Sequence, residues 1–573
     1  KGILKETIYK HKEHNVDTEY DEFPLTDVQM AYLIGRNEGI ALGGISTHGY
    51  YEILTHLNIR KLEESLNKVI EIQPMLRAII SKSGTQKILK EVPRYRISEN
   101  DIRGYTDEEQ ENVIKTERQR MSHYVFDTEK WPLFEFKAFR TDEEEYYLFV
   151  GIDLLIADGG SVRIFIRQLL DFYYDRFDKN RQNAFTFKDY VEALNDFSES
   201  STYKEDKDYW MEQISLIPPA PMLPLQKDPS VIRKPQFARI EKVIPKSEWN
   251  VLQKEAKKKG ITTSTLLCTA YALVLGYWSN QPELTINVTV FTRYPFNEGV
   301  TDIVGDFTSV ILLRVNLLGR SDFWKLASEI QNQLMDALEH RHYDGMNVIR
   351  KIAEQAEMKE QAVMPVVFTS LLFSMEEGDI VTIEDLGEVK MGVSQTSQVY
   401  LDYQVMETKE GLLITWDYIK ELFTPNMIST MFKQYINIVE SLSKNVISMP
   451  HLDSKEQEVF TAYNDTKLDM PILPIQTTFK KIAEKYPEKI LIADNTGGVT
   501  CHQVDKQSSQ IANYLLNQKI KRGDVIAVLG NRRKETIINI LGILKAGAAY
   551  VAIDPEYPEE RKKYILSHSE SVM

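Results

Sequence analysis

The sequence predicts an α/β protein divided into several lobes, and three observations predict it. Apolar residues recur at steps of three and four in some segments and cluster as β-formers in others. A proline-rich piece, Ile217-Pro-Pro-Ala-Pro-Met-Leu-Pro-Leu225, interrupts this alternation midway, and a fresh alternation begins after a polar stretch near Asp469. At 573 residues the chain is too long for one core, since cores stop growing at roughly 250 to 300 residues, so about three to four lobes are expected.

After a lead-in over residues 1–22, Phe23 to Arg36 reads as a turn opening a short helix, with Thr26 as its N-cap. Apolar periodicity from Ile59 to Leu76 predicts a helix, and Arg77 to Ile80 a strand. Glu145 to Ile152 is rich in β-formers, and Ser161 to Tyr174 has helical spacing through Ile164, Phe165, Gln168, Leu169 and Phe172. Proline cannot continue a helix or a central strand, so 217–225 is a crossover between two halves, a first lobe over 23–200 and a second over 201–448. The second half repeats the pattern: a helix from Thr263 to Trp278, strands at Leu284 to Phe291 and Val310 to Val315, and a helix from Asp322 to His340. Strands follow at Met364 to Phe373, Val399 to Met406 and Leu412 to Asp417. Thr424-Pro425 then opens a last helix, a cap residue with proline in the first turn, and the lobe ends near Ser443. Residues 449–470 read as a linker, polar around Asp453 to Asp469, and 471–573 as a separate domain. The start at Lys1 and the end in mid-pattern at Met573 suggest a piece of something longer.

Composition excludes several classes. Apolar and charged fractions of 43% and 27% are those of a packed globular protein. A formal charge of -15 without a basic run argues against nucleic acid, whose affinity rests on Lys and Arg neutralising phosphates. No run of eighteen apolar residues and no signal peptide is seen, so neither a membrane span nor export is expected. Two cysteines, Cys268 and Cys501, make no disulfide framework, and a reducing cytoplasm fits them best. His48, His123 and His342 are isolated from one another and from any Cys pair, so no metal site is expected.

The segment Asp153-Leu-Leu-Ile-Ala-Asp158-Gly-Gly-Ser161 falls between a predicted strand and a predicted helix. Its carboxylates and hydroxyl could form a site. Equally, Ser161 could cap the helix and Asp158 turn the chain, because Asp, Gly and Ser are ordinary turn and cap residues.

Neighbouring segments bear on that choice. The chain resembles condensation-type domains of nonribosomal peptide synthetases, which share a two-lobed, V-shaped chloramphenicol-acetyltransferase-like fold and normally carry His-His-x-x-x-Asp-Gly. Asp158-Gly159 keeps the end of that motif, while Asp153 and Leu154 stand where the histidines would be. Asp-x-x-x-x-Asp-x-x-Ser there is the mark of the heterocyclization subfamily. Further segments resemble the same subfamily in order: Phe23 to Arg36, Met121 to His123 with Pro132 to Phe134, Gly305 to Ser309, Pro365 to Ser370, and Ser394 to Asp402. Gln73 stands where His is usual, and Ser397 and Tyr400 where Pro and Trp are typical.

The resemblance implies an enzyme that joins a carrier-bound acyl or peptidyl thioester to carrier-bound Cys, Ser or Thr, then cyclodehydrates the amide to a thiazoline or oxazoline. Loss of water needs a proton delivered to the leaving hydroxyl and one removed from nitrogen, work suited to a carboxyl beside a hydroxyl. The resemblance assigns this to Asp402, as acid and base, and Thr369, which positions it or relays the proton. Asp402 needs burial to bring its pKa toward neutrality. Asp153, Asp158 and Ser161 are expected to be structural, the carboxylates pairing with an Arg and with backbone amides. Asp306, Thr308, Ser309, Ser370 and Gln395 are expected along the substrate tunnel.

Leu544-Lys-Ala-Gly-Ala-Ala-Tyr-Val-Ala-Ile-Asp-Pro-Glu-Tyr-Pro558 resembles an early motif of adenylation domains, and Thr477 to Leu515 their opening elements. No Gly/Ser/Thr-rich phosphate loop with Lys follows, so ATP use by this chain is not expected. No carrier domain is evident. Cofactors are therefore expected on partners only, as phosphopantetheine arms of an upstream donor and a downstream acceptor carrier domain, beside the rest of the adenylation domain. A condensation-only enzyme and a non-catalytic docking scaffold are the alternatives.

Overall fold

The computed structural model describes residues 9–178, 184–319, 322–356, 362–372, 381–444, 446–452, 454–469 and 472–573. Residues 1–8 of the expected lead-in, Phe373 at the end of an expected strand, and Asp453 and Met470 of the expected linker lie outside them. The chain folds as two compact units, Lys1–His451 and Leu452–Met573.

The first half of the first unit runs β1 (Phe23–Pro24), α1 (Asp27–Ile34), β2 (His48–Thr55), α2 (Ile59–Ile72), β3 (Ala78–Ile80), β4 (Thr85–Ile88), β5 (Ser98–Asp101), α3 (Asp107–Met121), β6 (Phe134–Arg140), β7 (Tyr146–Asp153), α4 (Gly159–Tyr173), α5 (Phe187–Phe197) and α6 (Ser201–Gln213). Thr26 caps α1 in a reciprocal capping box with Gln29. Asp158, rather than Ser161, is the N-cap of α4, its carboxylate accepting the Ser161 amide.

The second half runs β8 (Phe237–Pro245), α7 (Lys246–Lys258), α8 (Thr263–Ser279), β9 (Glu283–Phe291), β10 (Thr308–Asn316), α9 (Phe323–Glu339), α10 (Gly345–Gln355), β11 (Val366–Leu371), β12 (Glu388–Gln395), β13 (Leu401–Glu407), β14 (Gly411–Ile419) and α11 (Pro425–Ser443). Its six-stranded sheet has the order β10-β9-β11-β13-β14-β8. In it β11 is parallel to both neighbours, β9 and β13, and the remaining pairs are antiparallel. Helix α8 is buried from Thr265 to Gly276, so it is apolar around its whole circumference, as a central core helix must be. Its Tyr271 packs against Tyr403, Trp416 and Tyr435, and the Tyr403 and Tyr435 hydroxyls satisfy each other at 2.6 Å.

The first lobe's sheet is ordered β12-β2-β7-β6-β5. Its edge strand β12 comes from the second half of the chain and runs antiparallel to β2, whose edge would otherwise expose a row of unpaired backbone groups. The segment between β9 and β10 crosses the same way, burying Phe296, Val304 and Phe307 in the first lobe's core. Two segments beyond residue 200, where a single division was expected, thus return to the first lobe. Local periodicity does not encode which sheet a strand joins.

The second unit holds α12 (Ser454–Asn464), α13 (Ile475–Lys485), β15 (Ile490–Asp494), β16 (Gly497–Thr500), α14 (Cys501–Asn517), β17 (Val525–Leu529), α15 (Lys534–Lys545), β18 (Ala549–Ile553) and α16 (Glu559–His568). Helix α12 occupies part of the stretch expected as linker. Strands β17 and β18 are parallel and joined through α15, a βαβ unit closed over Val528, Ile538 and Ile543. Among the described residues no single helix is long and apolar enough to cross a membrane.

Candidate active site

A cavity of about 400 Å³ lies in the first unit, walled on one side by the six-stranded sheet and on another by α1 and α10. Side chains alternate across a strand, so every second residue faces the cavity. From β9 these are Asn287, Thr289 and Phe291, from β11 Val367, Thr369 and Leu371, and from β13 Asp402, Gln404 and Met406. The intervening Val366, Phe368, Tyr403 and Val405 fill the core behind.

Strand register sets these residues in rows. Val367 lies opposite Asp402 on one side and Asn287 on the other, and Thr369 lies between Gln404 and Thr289. Thr369 Oγ1 is 3.3 Å from Asp402 Oδ1 and 3.0 Å from Thr289 Oγ1, and Gln404 Nε2 donates to Asp402 Oδ2 at 2.6 Å. Asp402 and Thr369 are each 8% exposed. Burial pushes the Asp402 carboxyl up to about 7, and the Asp417 carboxylate adds to the rise. Hydrogen bonds from Gln404 and Thr369 and the charge of Arg239 pull the other way. A carboxyl at that pKa is half protonated near neutrality. Protonated, it can donate to Thr369 Oγ1; ionised, it can accept from Thr369 and Gln404.

Asp417, opposite Asp402 on β14, is held by Arg239, with Nε to Oδ1 at 2.8 Å and Nη2 to Oδ2 at 2.6 Å. Asp344, the N-cap of α10, accepts the Ser309 hydroxyl at 2.5 Å and is pushed up by burial to about 6.

The Asp153 to Ser161 segment stands at the lobe junction. Asp153 is fully buried and paired with Arg36, accepting the Ser46 hydroxyl at 3.1 Å and the Leu155 amide at 3.0 Å. Asp158 accepts the Ser161 amide at 2.6 Å and the Phe307 amide at 3.0 Å, with Arg293 Nη2 at 3.7 Å. Ser161 Oγ donates to the Gly305 carbonyl at 2.6 Å and accepts from Arg293 at 2.8 Å. Both carboxylates are satisfied by arginine and backbone, as a buried charge must be. Leu154 and Asp158 border the cavity; Asp153 does not.

Of the five residues expected along the tunnel, only Thr308 lines the cavity. Asp306 is fully buried beside it, with Oδ1 accepting the Thr308 amide at 3.1 Å and Oδ2 unpartnered; burial holds its carboxyl well above the usual range. Ser309 faces away, toward Asp344, because it alternates with Thr308 on β10. Ser370 alternates in the same way with Thr369. Gln395 is buried elsewhere, its Nε2 2.8 Å from the Ser46 carbonyl and 2.9 Å from His48 Nδ1. Gln73 links the lobes, donating to the Asp302 carbonyl at 3.0 Å and accepting the Val304 amide at 2.8 Å.

Gln404, Thr289, Asn287 and Tyr32 line the cavity without having been singled out in the sequence. The signal for Gln404 was its place two residues beyond Asp402, hence on the same face of a strand. Thr289 and Asn287 required the pairing of β9 with β11, which the sequence does not state.

Residues 20–467 match the Condensation domain family, and residues 479–573 the AMP-binding enzyme family. The chain belongs to the condensation-domain family of nonribosomal peptide synthetases. This condensation domain, with the AMP-binding segment after it, is 38% identical over 552 residues to bacitracin synthase 1 of Bacillus licheniformis, covering 96% of the chain and 10% of that protein. It is 28% identical over 564 residues to pyochelin synthetase PchF of Pseudomonas aeruginosa, covering 97% of the chain and 30% of that protein. It is 28% identical over 579 residues to phenyloxazoline synthase MbtB of Mycobacterium tuberculosis, covering 99% and 40%. The chain thus spans well under half the length of these relatives. Among solved structures, the EpoB cyclization-docking bidomain from Sorangium cellulosum superposes with a TM-score of 0.72 at 31% identity, over 76% of this chain and 88% of that one. The synthetase FmoA3 (S1046A) does so with a TM-score of 0.80 at 25% identity, over 99% and 59%. The mixed α/β fold expected from the sequence is the fold of these condensation and cyclization domains.

Proposed function

We propose that the first unit is a heterocyclization domain: it condenses a carrier-bound acyl or peptidyl thioester with carrier-bound Cys, Ser or Thr and then cyclodehydrates the amide to a thiazoline or oxazoline. The observation that carries this reading is Asp402, a buried carboxyl with a pKa of about 7, on the cavity wall within hydrogen-bond reach of Thr369 and Gln404. Two further observations support it. Leucine occupies the position of the family's histidine, and relatives include a phenyloxazoline synthase and a cyclization domain.

The proposed chemistry runs in three stages. The acceptor amine attacks the thioester carbonyl, the C–N bond forms, the C–S bond breaks, and the carrier arm leaves as a thiol. The acceptor's side-chain thiol or hydroxyl then attacks the same carbon, and the amide oxygen becomes a hydroxyl. Asp402 delivers a proton to that hydroxyl as its C–O bond breaks, the N–H proton passes to the carboxylate as C=N forms, and one water departs. Thr369 bridges Asp402 to Thr289 and holds the carboxyl in place for both transfers. Both substrates arrive on phosphopantetheine arms of partner carrier domains, and the chain itself contributes no cofactor to this chemistry.

The test supplies acyl-loaded donor and cysteinyl-loaded acceptor carriers and records intact product mass. The wild-type product is one water lighter than the linear amide, while Asp402→Asn and Thr369→Ala release linear amide. Unimpaired ring formation by both variants, or a wild-type product that keeps its water, overturns the reading.

A further inference from the structure

Helix α1 forms the roof of the cavity, and it presents Val28, Ala31, Tyr32 and Gly35 to it, the i, i+3, i+4, i+7 face of one helix. Its two ends are fixed to the second lobe. At the N-terminus Asp27 accepts from Asn347 and Arg350 of α10, each at 2.8 Å. At the C-terminus Gly35 packs so closely on Ser397 that a Cβ there would stand 2.4 Å from the Ser397 Cβ. The Tyr32 hydroxyl is the only polar side-chain group on that face. It shares the cavity wall with Thr308, whose hydroxyl acts on it together with the charges of Asp306 and Asp402.

The donor's carbonyl oxygen has an unusual history in the proposed reaction. It carries negative charge when the amine attacks, carries it again when the side chain closes the ring, and finally leaves as water. One carbon and one oxygen are involved throughout, so a single donor placed over that oxygen serves both attacks. Asp402 approaches it from the sheet, and the group facing it from the roof must be a donor rather than a second carboxylate.

We infer that Tyr32 is a further catalytic residue, its hydroxyl donating a hydrogen bond to the donor carbonyl oxygen in both tetrahedral intermediates. Burial, with the nearby Asp306 and Asp402, holds the Tyr32 phenol well above its ordinary pKa, so it remains a donor at neutral pH. A preorganised donor in a site shielded from water stabilises such an oxyanion strongly, and removing one such donor slows reactions by about 100-fold or more.

This inference rests on the condensation reading of the cavity, and it is tested on the amide-forming step, before any ring closes. Tyr32→Phe keeps the ring that packs in the roof and removes only the hydroxyl. Single-turnover measurement with loaded carriers is expected to show amide formation slowed about 100-fold, with the KM for donor carrier within twofold of wild type and an unchanged melting temperature. Thr308→Val, which leaves the Tyr32 ring alone, is expected to slow the same step several-fold, and provides the measurement if Tyr32→Phe does not fold. Amide formation within twofold of wild type in a folded Tyr32→Phe, or in Thr308→Val where that variant stands in, overturns the inference. A wild-type product that keeps its water defeats the heterocyclization reading alone, and the Tyr32→Phe rate still reports on the oxyanion.

Discussion

Asp158 Oδ2 accepts the backbone N–H of Phe307 at 3.0 Å, joining the start of α4 in the first lobe to a segment that crosses from the second. Its other oxygen caps α4 through the Ser161 amide and faces Arg293, whose guanidinium bonds Ser161 and the Val300 and Ile303 carbonyls. The carboxylate that keeps the aspartate of the family motif is therefore a fastener between lobes.

Asp158→Ala removes a helix cap and leaves Arg293 buried without its counter-charge. Caps contribute about 1 kcal/mol, and breaking a buried pair costs about 3 to 5 kcal/mol, so a loss of roughly 4 to 6 kcal/mol is expected, read from urea unfolding. Asp158→Asn keeps a capping oxygen and is expected to lose less.

Ring closure is expected to depend on protonated Asp402, whose pKa is about 7. The rate of water loss should fall roughly tenfold per pH unit above neutrality. In Asp402→Asn the residual rate should show no such limb. A pH series of product masses from single turnover measures both.

The same group gives stability an opposite pH dependence to that of an ion-paired carboxylate. The folded state holds the proton up to about 7, whereas the unfolded chain releases it near 3.8. The contribution is fully present below the unfolded pKa and is lost as pH rises toward 7. Between pH 4 and pH 8, wild type should lose stability relative to Asp402→Asn on the order of a few kcal/mol, measured by denaturant unfolding at each pH.

Gly345 opens α10 against β10, and a Cβ there would stand 2.4 Å from the Val310 carbonyl oxygen, a backbone atom that cannot swing aside. Gly345→Ala should displace α10, which carries Met346, Ile349 and Arg350 on the cavity wall. Misplacing reacting groups by about an ångström can reduce rate up to 100-fold, so turnover is expected to fall at least tenfold, measured with the loaded-carrier assay.

Much of the fold was legible because long segments carry their own period. Thr263 to Ser279, Glu283 to Phe291 and Phe323 to Glu339 lie within a residue or two of the spans expected from apolar spacing. The Thr424 cap and Pro425 start of α11 were likewise local signals. Strand β12 was missed: only three of its eight residues carry large apolar side chains, Val389, Met391 and Val393, and its partner β2 lies more than three hundred positions earlier. Ser309 and Ser370 were misplaced for a simpler reason, that adjacent residues on a strand face opposite sides.

By itself the sequence determined the α/β class and the family, and it singled out Thr369 and Asp402 as candidates, because these reside in motifs and short-range periods. Tertiary structure decided the rest. Parallel pairing of β11 with β13 brings the Thr369 hydroxyl to the carboxylate, burial raises that carboxyl toward neutrality, and crossing of 292–307 into the first lobe turns Asp158 into a junction residue. A pKa and a contact between distant strands depend on what surrounds a side chain, and no local stretch of sequence specifies those surroundings.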